Sequence, residues 1–307
     1  MTWIQAAIAV VAGGGVGFLA GVFGIGGAFL LVPVLQLTLT LPVQHIVGSV
    51  VCYILGPATA ALLARDVRAD DLRLPLTTAG GLLVGVSLGT RLLHELKGTA
   101  GGHGASSAEL AVSVGYLLTL SLVGGFLVWE SRRTAAGRPL SRGYLQRWRL
   151  PPSMPLPGGG EAGRVSVPVV CWFAVGVGVL GGFLGISGGL VLMPGLVYLF
   201  GVKTQKAVVA SLVIAWLVAF QGTIAHGWYG NVDLLLVACL LVGGTVGARI
   251  GSAVGQRWKG AKLRERFGWL VVFAALLVVV KLAVLQRSPR SPRSGKAVSV
   301  RMGTTVP

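Results

Sequence analysis

The sequence predicts an all-α polytopic membrane protein with two homologous halves, each holding about four long spans and one short re-entrant or broken helix. Three observations predict this fold: apolar runs of membrane-spanning length recur, charge is scarce within them, and one glycine-rich phrase occurs twice. Of the 307 residues, 54% are hydrophobic and 11% are charged. Soluble domains carry about 25% charged residues, so this chain has too little charge to cover a globular surface.

The long apolar segments match the length that crosses a hydrocarbon core about 30 Å thick. We predict eight of them, at residues 4–23, 44–64, 73–92, 108–129, 167–184, 207–226, 233–254 and 268–285. Two shorter segments, 27–40 and 189–201, follow the glycine phrases and are too short to be assigned as full crossings. The N-terminus lacks a basic n-region, so we interpret it as the start of a retained span.

Charge divides the chain into four parts. The linker has seven arginines and the stretch LPPSMPLPGGG, which is typical of a flexible tether, and its positive charge favours a cytoplasmic position. We predict an N-terminal transmembrane repeat at 1–130, a basic Arg/Pro/Gly-rich linker at 131–165, a C-terminal transmembrane repeat at 166–286 and a basic flexible tail at 287–307.

The net charge of +17 lies between the apolar segments and in the tail. This placement indicates membrane lipids as partners and argues against nucleic acid. Cys52, Cys171 and Cys239 are scattered within apolar runs, which favours neither a disulfide framework nor a metal site. No paired-carboxylate cluster or nucleophile motif occurs, so we expect no enzyme activity, catalytic residues, metal or cofactor.

The glycine phrase reads GIGGAFLLVP at 24–33 and GISGGLVLMP at 185–194. The same register continues on both sides of it. The paired residues are Gly17 with Gly178, Gly21 with Gly182, Ser49 with Ser211, Asp71 with Asp233, and Gly81, Gly85 and Gly89 with Gly243, Gly247 and Gly251. For the last three pairs, the spacing of small residues favours close helix packing.

Adjacent glycines weaken a helix by about 1 kcal/mol each relative to alanine. A break in lipid persists only where protein or a polar cavity satisfies the backbone. The short segment after each break would then present a helix N-terminus to an anion, with the two breaks facing one another around a substrate. We predict helix breaks at Pro33 and Pro194, with close packing as the alternative for the phrases. The candidate substrate-binding glycines are Gly24, Gly26, Gly27, Gly185, Gly188 and Gly189.

Polar residues near the phrases are further candidates for anion binding. The hydroxyls of Ser49, Ser187 and Ser211 could donate to an anion or bond back to their own helices. Lys203 and Lys206 could attract an anion or extend towards lipid headgroups.

Arg249 is an arginine within a span, which is a functional candidate unless it lies near a membrane face. His226 and Asp233 lie in a stretch that reads as a tight interfacial turn anchored by Trp228 and Tyr229. Proton coupling through His226 or Asp233 is the alternative for this stretch.

With these motifs, the chain resembles the sulfite exporter TauE/SafE family of membrane permeases. The shared features are a GxxxGxxGIGGxxxxxP-like element in each half, a span beginning near VxxS and a later GxxxGxxxG span. They cover nearly all of the chain except the linker and tail. The resemblance implies eight spans and export of sulfite, sulfoacetate or another sulfur-containing anion across the bacterial inner membrane. The chain departs from the fuller glycine pattern at Ala28 and Ser187.

The resemblance and the residues together predict a secondary transporter that exports a small anion, such as sulfite or an organosulfonate, from the cell. Protons as a coupled species and a homodimeric assembly are left open. A passive anion channel would show flux uncoupled from pH, and a non-transporting sensor or structural subunit would show none.

Topology has two solutions. If the short segments cross, each half crosses five times, the repeats are inverted and both termini are outside. If they only re-enter, each half crosses four times, the repeats are parallel and both termini are inside.

Overall fold

The computed structural model describes residues 3–23, 28–39, 41–98, 104–135, 143–147, 150–155, 164–186, 189–257 and 260–287. The described parts are mainly helical. In chain order, the helices are α1 (Trp3–Phe23), α2 (Ala28–Thr38), α3 (Val43–Leu63), α4 (Ala69–Gly98), α5 (Gly104–Ala135), α6 (Val167–Leu184), α7 (Gly189–Pro194), α8 (Thr204–Trp228), α9 (Leu234–Gln256) and α10 (Gly260–Arg287). A π-helical turn, Gly195–Leu199, continues α7.

Within the described residues, seven helices are long and apolar enough to cross a membrane: α1, α3, α4, α5, α6, α8 and α9. This confirms the predicted all-α polytopic fold. The eighth predicted segment lies in α10, whose described apolar part, Arg266–Val279, is shorter. Both short segments are helical, and they lie in α2 and in α7 with its π-helical turn.

Part of the predicted flexible linker has regular structure, which corrects that interpretation. Strand β1 (Ser153–Pro155) pairs antiparallel with β2 (Arg164–Ser166), and a 3₁₀ turn precedes them at Tyr144–Arg147. The strands are held because Val165 is buried in an apolar cluster with the turn that follows α7. The high proline and glycine content indicated a flexible tether, so the two short strands were not predicted. The boundaries of the four predicted parts stay predictions.

The relative directions of α1 and α3 follow from two hydrogen bonds. The Tyr53 hydroxyl donates to the Gly13 carbonyl at 2.7 Å, and the Arg65 guanidinium donates to the Gly21 carbonyl at 2.8 Å. The contacts advance together along both helices, so α1 and α3 run parallel. The chain between them must return to its starting side, and the segment that contains α2 makes this return.

Helices α3 and α8 cross the centre of the bundle in opposite directions. Val51 of α3 lies against Gly222 of α8. Further along α3, the Thr59 hydroxyl accepts a hydrogen bond from the Trp216 indole at 3.0 Å. Because the second contact lies later in α3 but earlier in α8, the two helices are antiparallel.

Helix α4 runs parallel to α6. Gly81 of α4 touches the backbone of Cys171, and Gly89 touches the backbone of Val179. A Cβ at either glycine would overlap a carbonyl oxygen of α6. This confirms the predicted packing role of the Gly81, Gly85 and Gly89 stretch.

Helix α4 also runs parallel to α8. Asp71 pairs with Lys206 near the starts of these helices, and Val86 contacts Gly222 further along both. Helices α6 and α8 are therefore parallel to one another, so the segment containing α7 makes a return like that of α2. The described helices thus give each half five traverses, and the halves have opposite orientations. This is the arrangement expected of inverted repeats, although the homology of the halves stays a prediction.

The two ends of the bundle differ in charge. Helix α10 runs antiparallel to α5, since Val271 faces Gly124 and Gly268 faces Leu127. The start of α1 and the end of α10 therefore share one end, and the segment between α5 and α6 lies at the other. Among the described residues, basic side chains are enriched at that second end. Following the positive-inside rule, we call it the cytoplasmic end and the first the outer end. The described cations of the cytoplasmic end include Arg65, Arg68, Arg73, Arg132, Arg133, Lys203, Lys206 and Arg257.

Both short helices are packed inside the protein. Phe29, Leu31 and Val32 of α2 and Leu190 and Leu192 of α7 are at most 1% exposed. Pro33 is buried inside α2, which continues through it to Thr38, so the predicted helix break does not occur there. Pro194 is buried at the end of α7, where the π-helical turn begins. The short helices therefore meet the requirement that interrupted backbone at membrane depth be covered by protein.

Candidate functional site at the end of α6

Several predicted substrate-binding residues lie outside the described residues, so their roles stay predictions. They are Gly24, Gly26, Gly27, Ser187 and Gly188. Gly189 is described and is the buried first residue of α7.

The flanks of the two glycine phrases lie at opposite ends of the bundle. Gly21, near the end of α1, is beside Arg65 at the cytoplasmic end of α3. Gly185, just after α6, is beside Val47 near the outer end of α3. At 1.5 Å per residue, α3 separates these levels by more than about 20 Å. The described flanks therefore lie at opposite ends of the bundle, because α1 and α6 run in opposite directions. That the breaks themselves face one substrate stays a prediction.

The paired serines also lie far apart. The buried Ser49 hydroxyl accepts a hydrogen bond from the Asp233 backbone N–H at 2.8 Å at the outer end. The Ser211 hydroxyl donates to the Val208 carbonyl of its own helix at 3.0 Å, near the cytoplasmic end. One small anion cannot contact both hydroxyls at once, so a binding role remains a prediction for each separately.

The predicted cations do not border the end of α6. Lys206 forms an ion pair with Asp71 at 2.8 Å, and Lys203 is exposed just before α8. Arg249 is exposed on α9, eight residues before Arg257. It therefore lies within reach of the cytoplasmic headgroups, where arginine side chains commonly extend. A substrate contact for any of these cations stays a prediction.

The end of α6 is buried and capped by side chains from other helices. Gly185 has φ 71°, a left-handed conformation suited to glycine, and its N–H bonds to the Gly181 carbonyl. His226 Nε2 lies 3.0 Å from the Gly182 carbonyl oxygen. The Tyr116 hydroxyl donates to the Leu184 carbonyl at 2.9 Å. Carbonyls that the helix leaves without intrahelical donors are thus satisfied away from water.

Three polar side chains beside this helix end are buried and have atoms without a hydrogen-bond partner among the described residues. The atoms are Thr90 Oγ1, His226 Nδ1 and both amide atoms of Asn231, on residues that are at most 1% exposed. Leaving such groups unsatisfied costs about 1–3 kcal/mol each. We call Thr90, His226 and Asn231 the outer polar cluster, and its open hydrogen-bonding capacity makes it the candidate site.

Backbone contacts hold the outer polar cluster together. The Asn231 N–H donates to the His226 carbonyl at 2.9 Å. The position that a Cβ would take on Gly182 is 2.9 Å from Thr90 Oγ1, and His226 bonds to that same glycine. A Cβ at Gly48 would overlap the Asn231 carbonyl oxygen, so this glycine lets α3 approach the cluster.

The turn between α8 and α9 positions Asn231. Gly230 has φ 65°, which allows the chain to reverse after α8. The Asp233 carboxylate then caps α9 by accepting from the N–H groups of Leu235 at 3.0 Å and Leu236 at 3.1 Å. The predicted tight turn is therefore present, and the Asp233 carboxylate is committed to capping.

A related contact at the cytoplasmic end involves Arg65, which the sequence interpretation missed. Arg65 donates to the Gly21 carbonyl. His226 bonds in the same way to the carbonyl of Gly182, which is the predicted repeat partner of Gly21. Burial lowers the pKa of Arg65 to about 10. Arg65 therefore remains charged at neutral pH. The sequence could have indicated Arg65 as a candidate, because it is the first charged side chain after 64 residues without one.

A cleft of about 710 Å³ lies between α4 and α8 at the outer end. Its polar lining includes Ser87, Thr90, Arg91 and Gln221. Thr90 belongs to both the cleft and the outer polar cluster, so the cleft adjoins the candidate site. Among the described residues, no group of three His, Cys, Asp or Glu side chains could hold a metal ion.

The fold and its spans define a multi-pass membrane protein. The family model for the sulfite exporter TauE/SafE matches residues 8–278, so the chain belongs to this family.

Curated relatives agree on the class. The chain is 24% identical over 284 residues to a probable membrane transporter protein of Xylella fastidiosa (strain 9a5c), covering 90% of this chain and 96% of the relative. It is 28% identical over 267 residues to the probable membrane transporter protein YjnA of Bacillus subtilis (strain 168), covering 86% and 96%. No solved structure matches the chain significantly. The protein is therefore a membrane transporter rather than an enzyme, and the inner membrane is its expected location.

Proposed function

We propose that the protein is a secondary transporter that exports a small anion, such as sulfite or an organosulfonate, across the bacterial inner membrane. The observation that carries the proposal is the outer polar cluster beside the end of α6. The Thr90 hydroxyl and the Asn231 amide are neutral hydrogen-bond donors buried away from water. Hydrogen bonds to a charged acceptor contribute about 1.5–3 kcal/mol, which suits such donors to an oxyanion.

The opposite directions of the two halves support alternating access, in which the site opens to one side at a time. Each end has a side chain that bonds to a helix-end carbonyl: His226 to Gly182 at the outer end and Arg65 to Gly21 at the cytoplasmic end. We infer that these contacts belong to the outer and inner closures. Because the halves are inverted, the protein opens to the outside when the outer closure loosens and the inner one holds. It opens to the cytoplasm when the inner closure loosens and the outer one holds.

Protons are the proposed coupled species. His226 has a ring nitrogen, Nδ1, without a partner among the described residues, next to the proposed anion donors. A proton taken up there would place positive charge beside the anion. By reciprocity the bound anion favours proton uptake by the same factor, so anion and proton would leave together, driven by the outward gradient of the anion.

The test is flux of radiolabelled sulfite in liposomes that hold the purified protein, with and without a pH gradient. Sulfate, thiosulfate and sulfoacetate are added as competitors. The proposal expects saturable flux that responds to the gradient and is inhibited by at least one sulfur oxyanion. Non-saturable flux that ignores the gradient would favour a passive channel, and absence of flux from folded protein would contradict transport by this chain alone.

A further inference from the structure

The cleft between α4 and α8 opens on the membrane-facing side of the bundle. Leu83, Leu88 and Ile224 line it and are more than half exposed, and Trp228 lies at its outer end with an exposed indole. In the membrane, this side faces acyl chains rather than water. The cleft therefore offers an apolar wall to a molecule that arrives from the lipid.

The deeper lining of the cleft is polar. Thr90 Oγ1 and Gln221 Oε1 are buried and have no partner among the described residues. Arg91 adjoins them and lies five residues before Leu96, where the described apolar span ends. One cation and two neutral polar groups thus converge beside the outer polar cluster. The Arg91 guanidinium and the Thr90 hydroxyl can donate to an anionic head group and are complementary to it, whereas the free Gln221 oxygen only accepts.

The volume of the cleft exceeds what a small inorganic oxyanion needs. One water molecule occupies about 30 Å³ in the liquid, so an ion of four heavy atoms would fill a minor part of 710 Å³. Sites for drug-sized organic molecules measure about 300–1,000 Å³ and combine apolar walls with a few polar groups. The cleft matches that description in size and in lining.

We propose that this cleft binds organic anions that carry an apolar tail, with the oxyanion head at Arg91 and Thr90. The tail lies along Leu88 and Ile224, towards the lipid. The inference rests on the proposed function, since it names the substrate class of the same site. It extends that function from small oxyanions to amphipathic anions that enter or leave through the side of the bundle.

The experiment measures equilibrium binding of 1-alkanesulfonates with two to eight carbons to the full chain in nanodiscs of zwitterionic lipid. Empty nanodiscs measure partition into the lipid, which is subtracted. We expect affinity to rise about fourfold for each methylene that leaves water. Arg91→Gln is expected to weaken binding of every chain length by about tenfold, because it removes the charge that pairs with the head group.

Two further variants make the result specific. Leu88→Trp narrows the apolar part and is expected to weaken octanesulfonate more than ethanesulfonate. Arg73→Gln is the matched control, because Arg73 lies at the cytoplasmic end of the same helix and pairs with Asp70 at 3.4 Å. It is expected to bind all sulfonates as the wild type does.

Three results would overturn the inference: no dependence on chain length after subtraction, unchanged binding in Arg91→Gln, or displacement of octanesulfonate by added phosphatidylglycerol but not by decanesulfonate. The last would assign the cleft to a phospholipid. Sulfite flux, measured in liposomes that hold protein from the same purification, separates the two proposals. Flux without chain-length dependence would refute only the cleft, whereas chain-length-dependent binding without any anion flux would refute only transport.

Discussion

The Lys206 ammonium lies 2.8 Å from the carboxylate of Asp71, joining the start of α8 to the start of α4 across the two halves. The Asp71 side chain is 2% exposed and that of Lys206 is 37% exposed. Removing Lys206 would leave a buried carboxylate without its counter-charge. Breaking a fully buried pair costs about 3–5 kcal/mol, and the partial exposure of Lys206 reduces this.

We therefore expect Lys206→Ala to lower stability by about 2 kcal/mol. Adding Asp71→Asn should recover part of the loss, because the double variant no longer buries a lone charge. Thermal unfolding of the detergent-purified variants measures both effects. If Lys206 instead contacts substrate, as the sequence alone suggested, Lys206→Ala would raise KM while leaving the unfolding midpoint unchanged.

Arg65 provides a prediction with a defined pH dependence. Burial lowers its pKa to about 10 in the folded chain, below the ordinary value for arginine that applies in the unfolded chain. Between these values, the unfolded chain binds more protons, so stability rises with pH there. Below pH 10, Arg65 is charged in both states and contributes no pH dependence.

Arg65→Gln is thus expected to lower stability by about 1–2 kcal/mol, by losing the charge-assisted bond to Gly21. The loss should be equal at pH 6 and pH 8.5, as measured by unfolding midpoints. The control is Arg68→Gln, since the Arg68 side chain forms an exposed pair with Asp66 at 3.6 Å, which contributes little stability. A loss that changes between the two pH values would show that another titrating group controls the contact.

Close packing of α1 on α9 predicts a contrast between two glycines of one helix. A Cβ on Gly17 would overlap the backbone of Gly244, whereas a Cβ on Gly15 meets nothing within 4 Å. Gly17→Ala should therefore cost about 1–3 kcal/mol through overpacking. Gly15→Ala should be neutral or slightly stabilising, because alanine favours the helix. Equal unfolding midpoints for the two variants would mean that the helices are not in this contact.

The helix directions predict the sidedness of the chain. In a background with Cys52, Cys171 and Cys239 replaced by alanine, Trp3→Cys should react with an impermeant maleimide added outside cells. Ser153→Cys, in β1 between the halves, should react only after the membrane is permeabilised. Labelling of both positions from the same side would rule out five traverses in the N-terminal half.

Much of the fold could be predicted because hydropathy reports directly which segments enter lipid. Seven predicted long spans coincide with long apolar helices of the described chain, and the glycines of the Gly81 stretch pack on a neighbouring helix as expected. The relative orientation of the halves could not be predicted, because it depends on whether α2 and α7 traverse. Helix length alone does not decide that for an 11-residue helix.

The candidate site was predicted only in part. The glycine phrase led to the end of α6, and His226 was noticed within its turn. Thr90 was missed because a single hydroxyl in an apolar span usually bonds back to its own helix. The repeat register could have found it, since Thr90 pairs with Ser252 at the same offset as Ser49 with Ser211.

The central claim is that the outer polar cluster contacts the transported anion. The most direct test is sulfite flux in proteoliposomes containing Thr90→Val, with Thr245→Val as the matched control. The Thr245 hydroxyl donates to the Leu241 carbonyl of its own helix at 2.8 Å.

We predict that Thr90→Val lowers kcat/KM at least about tenfold by removing a hydrogen bond to a charged acceptor. Its unfolding midpoint should stay unchanged or rise, because a buried hydroxyl without a partner is removed. Thr245→Val should transport as the wild type does. Wild-type flux in Thr90→Val, with the protein folded, would contradict the claim.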